Sequence, residues 1–291
     1  GIVSIASDVA VITVNYVASK LGLIANPDEY TQTTTNKFLM RECFSKYSVP
    51  SPKYTYIKDG IAIESCLFQF PVIVKPTDRS GSRGVQKVLL TENLADAIKN
   101  ATQESFSKEV IVEEFVDGRE ISVETISWQG KHYILAITDK ITTEAPHFVE
   151  LEHHQPSTLE SYVQDAVKFI VEQALDALNI MNGASHTELK ITEQGAIFVI
   201  EVGARMGGDF IGSDLVQLST GFDFVKAVIE ISLGKFEEPK INEHSFSGVY
   251  FLCKETEYLK PVFDASGQYN QIVKIEKTDN ELHSIKCSAD R

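Results

Sequence analysis

No run of basic residues occurs in this chain, and 41 acidic against 27 basic residues leave a formal charge of −14. Binding to a phosphate backbone needs clustered Lys and Arg, so no nucleic-acid partner is expected. Cysteine is sparse: Cys43, Cys66, Cys253 and Cys287 lie far apart and form no Cys-x-x-Cys pair. That argues against a zinc site and a dense disulfide framework, and fits a reducing, cytoplasmic setting. No apolar run approaches the roughly 18 residues of a spanning helix, and the opening residues lack the basic segment of a signal peptide, so no membrane partner is expected. Internal repeats, low-complexity tracts, a Walker A loop and a dinucleotide fingerprint are all absent. What is present is a chain of 291 residues, 43% of them hydrophobic, enough for a large core in two domains or in one domain with a lobe.

Ser185 to Asp209 holds the densest chemistry. It reads as a strand from His186 to Thr192, a tight turn at Gln194-Gly195, a strand from Ala196 to Val202, and the loop Gly203-Ala204-Arg205-Met206-Gly207-Gly208. With a two-residue turn, Glu193 pairs with Ala196, and the register carried back sets Glu188 opposite Glu201. Facing side chains on an antiparallel pair sit roughly 5 Å apart, and like charges there repel. Two such carboxylates ask for a cation between them. With only oxygen ligands on offer, the candidate is a hard ion such as Mg²⁺, which takes one or two carboxylates plus substrate phosphates. On the period of two, Gly203 and Arg205 follow on the Glu201 face, and Arg205 brings a fixed positive charge. On these residues alone, an exposed hairpin with two solvated glutamates remains open.

Gly1 to Ile5 reads as a strand and Asp8 as the N-cap of a helix through Leu21 ended by Gly22; an earlier part of the fold is expected to be missing. A second helix spans Asn36 to Lys46, with Lys37 in its first turn, where the helix dipole disfavours a cation. Phe70 to Pro76 is a buried-type strand ending in Lys75. Behind it come the small residues of Asp78 to Val85 and a strand from Gln86 to Leu90. Ser80, Gly81, Ser82 and Gly84 would let backbone N–H groups fold over an anion. A helix from Glu92 to Ser107 precedes the strand Val110 to Gly118. From Glu120 to Trp128 the pattern alternates, with Glu120, Ser122, Glu124 and Ile126 on one face that is expected to be solvated. Lys131 to Asp139 completes a plain hairpin. Ile141 to Pro156 is irregular, and its adjacent His153 and His154 point apart. Ser157 to Asn179 is a core helix. Asp214 to Leu233 is a helix interrupted at Thr220-Gly221, and short strands are expected at 248–254 and 271–277.

Taken in order, several features resemble the ATP-grasp superfamily: Lys37, Lys75 with Ser80 to Gly84, Val112-Glu113-Glu114-Phe115-Val116, Gly118-x-Glu120, Glu188 and Glu201-x-x-x-Arg205. Within it, His186 to Lys190 and Glu201 to Asp209 are similar to the carboxylate–amine ligases of the L-amino-acid ligase and carbamoyl-phosphate-synthase-like group, over about Ser4 to Gly234. The resemblance implies an α+β fold with ATP bound between antiparallel sheets. It divides the chain into a remnant of an N-terminal α/β domain (1–30), a helical connection (31–64), a small lid lobe (65–117) and a large catalytic lobe (118–291).

It further implies that Lys37 and Lys75 contact phosphates beneath the loop of Ser80, Gly81, Ser82 and Gly84. Glu113, Glu114, Phe115 and Val116 would line the adenine pocket, and Glu120 would bind the ribose. Glu188 and Glu201 are expected to hold one or two Mg²⁺ ions, with Mn²⁺ as a substitute, and Arg205 to neutralise an acyl phosphate. Gly203 stands where many members carry Asn, so a second ion is expected to be held through water or less tightly. His153, His154, Gly207, Gly208 and Asp209 are candidates for substrate contact. The implied reaction joins a carboxylate, expected to be an amino acid, to an amine by way of an acyl phosphate, releasing ADP and phosphate. A bicarbonate-using carboxylase or carbamoyl-phosphate-type enzyme, and a non-catalytic ATP-binding regulatory domain, are the alternatives. The expected partners are small molecules, and a homodimer is left open.

Overall fold

A computed structural model of the chain describes residues 1–59, 68–143, 148–277 and 281–290, so Cys66 and the whole of 60–67 lie outside it. Helix α1 (Asp8–Leu21) starts where the Ser7 hydroxyl accepts the Ala10 N–H at 3.4 Å, and ends at Gly22 with φ 62°. Ser7 is therefore the cap, and Asp8 is the first helical residue, free to use its carboxylate elsewhere. Gly1 to Ile5, read as a strand, lies outside both sheets. Helix α2 (Lys37–Tyr47) is capped by Asn36, whose side-chain oxygen accepts the N–H groups of Phe38 and Leu39.

Then follow β1 (Tyr54–Lys58), β2 (Val72–Pro76), β3 (Gln86–Val88), α3 (Leu94–Glu104), β4 (Glu109–Glu114), β5 (Arg119–Trp128), β6 (Lys131–Thr142) and β7 (Glu150–Gln155). After them come α4 (Ser161–Ala177), β8 (Gly183–Ile191), β9 (Ile197–Gly203), α5 (Val216–Thr220), α6 (Phe224–Ser232) and β10 (Ser247–Tyr250). Strand β1 falls in the segment read as a helical connection, β7 in the stretch read as irregular, and 271–277 forms no strand. No described helix is long and apolar enough to cross a membrane.

The strands form two antiparallel sheets, ordered β1-β4-β2-β3 and β10-β7-β6-β5-β8-β9. Leu94, Ala97, Ile98 and Ala101, at helical spacing on α3, pack on Val72, Val74, Val110 and Val112 of the small sheet. One face of the large sheet takes Val167, Val171 and Leu175 of α4 with Met40 and Phe44 of α2. Its other face takes Phe224, Val228 and Ile231 of α6 with Met206. Each such side chain contributes roughly 1.5–3 kcal/mol on burial. Because helices cover both faces, β5 is buried from Ile121 to Ser127. The alternating face expected to be solvated is covered by α6 near Ile126 and faces a cleft near Glu120.

The β8–β9 hairpin reaches the predicted pairing by a different route. Gly195 N–H bonds Thr192 C=O and Thr192 N–H bonds Ala196 C=O, each at 2.9 Å, enclosing three residues with Gly195 at φ 83°. A three-residue loop shifts the register, so Leu189 pairs with Val199. Ile200 then forms a bulge, and Glu188 pairs with Glu201 after all. The bulge is held from outside the sheet: Arg41 Nη2 donates to Ile200 C=O at 2.6 Å, and Val199 N–H donates to Pro50 C=O at 2.8 Å.

Candidate active site

An open cleft enclosing about 1080 Å³ lies between the two sheets. The small sheet lines it with Ile73, Lys75, the loop Arg79 to Ser82, and Glu113 to Val116. The large sheet contributes Glu120, His186, Glu188, Lys190, Glu201, Gly203 and Arg205. In register terms, Glu120, Ser122 and Glu124 pair directly with Lys190, Glu188 and His186, and Glu188 and His186 pair in turn with Glu201 and Gly203, so the charged residues share one sheet face.

The small-sheet wall is built from cations around one carboxylate. Glu113, 2% exposed, takes Arg41 Nε at 2.8 Å and Lys75 Nζ at 2.7 Å. Burial pushes its carboxyl up, but Arg41 and Lys75 together hold it below the usual range. Lys75 shares that carboxylate, and burial lowers its ammonium despite Glu113. Lys37, the first residue of α2, is buried and donates to Glu201 Oε1 at 2.8 Å and to Arg79 C=O at 2.7 Å. One lysine thus bridges the loop to the opposite sheet. The Arg79 guanidinium lies over Phe106 at 4.3 Å, and Lys87 lies over Phe115 at 3.6 Å, with Phe148 beside it.

The large-sheet floor inverts this arrangement. Lys140 Nζ, 2% exposed, meets Glu188 at 2.8 Å, Glu120 at 3.0 Å and Glu150 at 3.4 Å. Lys190 takes the second oxygen of Glu120 at 3.0 Å. Burial would lower the Lys140 ammonium, but the three glutamates raise it well above its ordinary value. Burial likewise pushes Glu188 up, and Lys140 with His186 more than offsets it, holding the carboxyl well below the usual range. Glu188 is therefore ionised at neutral pH.

Deeper in the sheet, Glu124 is fully buried. One oxygen bonds His186 Nδ1 and the other accepts Gly207 N–H at 2.9 Å. Burial lowers His186, but Glu124 wins and raises it to about 9, so it is an imidazolium, with Nε2 3.4 Å from Glu188. A Cβ on residue 207 would lie 2.6 Å from Glu124 Oε1, so only glycine lets the loop approach this pair. Arg205 Nε and Nη2 grip Asp8 at 2.8 and 3.0 Å, and Nη1 donates to Met206 C=O at 3.1 Å. A Cβ on Gly203 would lie 3.1 Å from both Asp8 Oδ1 and Arg205 Cζ. The glycine at this position makes room for that ion pair.

Of the residues singled out in the sequence, Lys37, Lys75, Ser80, Gly81, Ser82, Glu113 to Val116, Glu120, Glu188, Glu201 and Arg205 meet at the cleft. Gly84 does not; it sits against Pro76 and the Glu104 stem. Glu113, assigned to the adenine pocket, has its carboxylate committed to Arg41 and Lys75. Glu120, assigned to the ribose, is held between two lysines. His153 is buried, 3.4 Å from Asp209, and burial lowers its imidazole. His154 pairs with Glu152 at 2.9 Å on the other side of β7, apart from His153 and Asp209. Gly207 bonds Glu124 rather than lining the cleft.

Sequence reasoning missed Arg41, Lys140, Glu124, His186 and Asp8. Two of these carried a signal. Lys37, Met40, Arg41 and Phe44 form one helical stripe, placing two cations on a buried face. Lys140 lies near the end of a strand whose apolar run Leu135-Ala136-Ile137 stops two residues before it, a weaker form of the signal by which Lys75 directly ends Val72-Ile73-Val74.

Among the described residues, no group of three or more His, Cys, Asp or Glu forms a ready metal cage. The pair Glu188 and Glu201, one of them held ionised, matches the donor set of a hard divalent cation completed by ligand phosphates.

A family model described as an ATP-grasp domain matches residues 68–214, half of the sequence. The chain belongs to the ATP-grasp family. It is 27% identical over 233 residues to the carbamoyl phosphate synthase large chain of Thermoanaerobacter sp. (strain X514), covering 77% of this chain and 21% of that protein. It is 27% identical over 231 residues to the alanine–anticapsin ligase of Bacillus subtilis (strain 168), covering 68% of this chain and 48% of that one. Among solved structures, the L-amino acid ligase from Bacillus licheniformis aligns with a TM-score of 0.75 and 28% identity, over 84% of this chain and 60% of that one. The chain thus spans about a fifth of one curated relative and about half of another.

Proposed function

We propose that the cleft binds ATP and that the protein is an ATP-dependent ligase, joining a carboxylate, most simply an amino acid, to an amine. The observation that carries this reading is the cleft's polarity: Lys37, Lys75 and Arg79 stand opposite the carboxylates of Glu120, Glu188 and Glu201. A triphosphate with its counter-ion fits such a pair of surfaces. Lys37 and Lys75 bind phosphate oxygens, the Arg79 to Ser82 loop closes over them, and Phe115 and Val116 border the base. Glu188 and Glu201 would hold Mg²⁺, which when bound neutralises phosphate charge.

The substrate carboxylate oxygen attacks the γ-phosphorus and ADP leaves. The amine nitrogen then attacks the acyl carbon, loses a proton, and phosphate departs with the C–O bond. Such transfer needs positioning and neutralised charge more than covalent help. Three Arg205 donors are engaged by Asp8 and Met206, and its remaining N–H groups serve the acyl phosphate. The names of the alanine–anticapsin ligase and the L-amino acid ligase support an amino-acid substrate.

The test is a screen of amino-acid pairs for ATP-dependent phosphate release, with products read by mass spectrometry. A dipeptide-mass product is expected. ATP binding without turnover on any pair would overturn the ligase reading. The carbamoyl phosphate synthase relative favours a second reading, in which bicarbonate is the carboxylate. Turnover that needs bicarbonate and ignores amino acids would select it.

A further inference from the structure

Lys140 is used by none of the roles above, yet it is the most heavily engaged cation in the molecule's described residues. Its ammonium has three N–H donors. Three carboxylates from three different strands surround it: Glu120 of β5 at 3.0 Å, Glu150 of β7 at 3.4 Å and Glu188 of β8 at 2.8 Å. The side chain is 2% exposed, so water takes little part. Ser122, directly opposite Glu188, has a buried hydroxyl with no partner among the described residues, a neutral oxygen on the same face.

We infer that Lys140 is a tethered monovalent cation: its ammonium fills a site that a free ammonium or potassium ion occupies once the side chain is removed. The chemistry is that of an oxygen cage. Three carboxylates around one point repel, and Lys190 on Glu120 at 3.0 Å with His186 3.4 Å from Glu188 offsets only part of that charge, so a cation among them is still favoured. An ammonium at the end of a four-carbon stem supplies that charge without any entropy of ion capture, and it fixes Glu188 toward the cleft before nucleotide arrives. Lys140 is thus a positioning residue acting through Glu188 and Glu120. Its effect on turnover rests on the ligase reading; its cation site does not.

The experiment is a salt series on Lys140→Ala and wild type. Thermal unfolding is followed in ammonium, methylammonium, potassium and tetramethylammonium chloride at equal ionic strength. Ammonium or potassium should raise the variant's Tm by about 3 °C over tetramethylammonium, which is too large for the cage, and leave wild type unmoved. Equal response of the variant to all four salts, or the same response from wild type, overturns the inference.

Should Lys140→Ala fail to fold in any salt, Lys140→Ala with Glu150→Gln removes one repelling carboxylate. A folded double variant that shows no ammonium or potassium shift also overturns it. Where ATP turnover is measurable, ammonium should restore kcat of Lys140→Ala at least about tenfold at saturating ATP, a recovery that a purely structural lysine would not give. Turnover that ammonium fails to restore while the Tm shift is intact would overturn the positioning role, whereas a wild type that turns over ATP on no amino-acid pair would count against the ligase reading and leave the cation site standing.

Discussion

The two walls of the cleft are built on one plan with the signs exchanged. On the small sheet, a single buried anion, Glu113, holds Arg41 and Lys75. On the large sheet, a single buried cation, Lys140, holds Glu120, Glu150 and Glu188. On the large sheet the minority charge, Lys140, is the most buried member and its carboxylates line the opening; on the small sheet Arg41 lies deepest, while Glu113 and Lys75 reach the opening. A charge stripped of water needs a partner, whereas an excess left over at the surface is available to a ligand. The consequence is a cleft that offers cations to an anion on one side and anions to a cation on the other.

That comparison is broken most severely at the floor. If the proposed function holds, Glu188→Gln should lower ATP turnover at least about 1000-fold while the fold persists, because it removes the proposed metal ligand without opening a cavity. Near-normal steady-state rates from purified variant would refute the assignment of Glu188.

On the opposite wall, Glu113→Gln leaves Arg41 and Lys75 buried without their carboxylate. It should cost about 3–5 kcal/mol in denaturant unfolding. A loss below about 1 kcal/mol would mean the minority anion does not hold the wall.

Next comes pH. His186 has a folded pKa of about 9, above its unfolded value of about 6.5. A raised pKa contributes stability that is fully present below about 6.5 and is lost as pH rises through 9. The difference corresponds to roughly 3 kcal/mol. Comparing unfolding free energies at pH 6 and pH 10 in wild type and Glu124→Gln should show a flatter profile in the variant. Identical profiles would exclude the Glu124–His186 pair as the cause.

The smallest effect is expected at Gly203→Ala. Its Cβ would lie 3.1 Å from the Asp8 and Arg205 groups, so the pair must yield by a few tenths of an ångström. A loss of about 1 kcal/mol, read by chemical denaturation, would fit that crowding. A stabilised variant would show that the ion pair has room to spare.

The pairing of Glu188 with Glu201, expected from a two-residue turn, is present through two compensating departures that the sequence did not reveal: the turn holds three residues, and the Ile200 bulge restores what the turn displaced. Lys75 was legible as a cation at the end of an apolar strand. The solvated face assigned to β5 was not, since alternation of polar and apolar residues cannot say whether a second helix will cover the polar side. Glu124 and His186 are 62 residues apart in sequence, and nothing local joins them. The Asp8–Arg205 pair spans 197 residues, and Asp8 alone looked like an ordinary helix cap.

By itself, the amino-acid order determined the family and most strand and helix types, and it marked the side chains proposed to meet phosphate or metal, because these depend on residue chemistry and short-range spacing. Only the tertiary structure decided which charges became minority anchors. Arg41 of α2 meets Glu113, and Lys140 meets Glu188, only after elements distant in sequence are packed together and water is driven from between them.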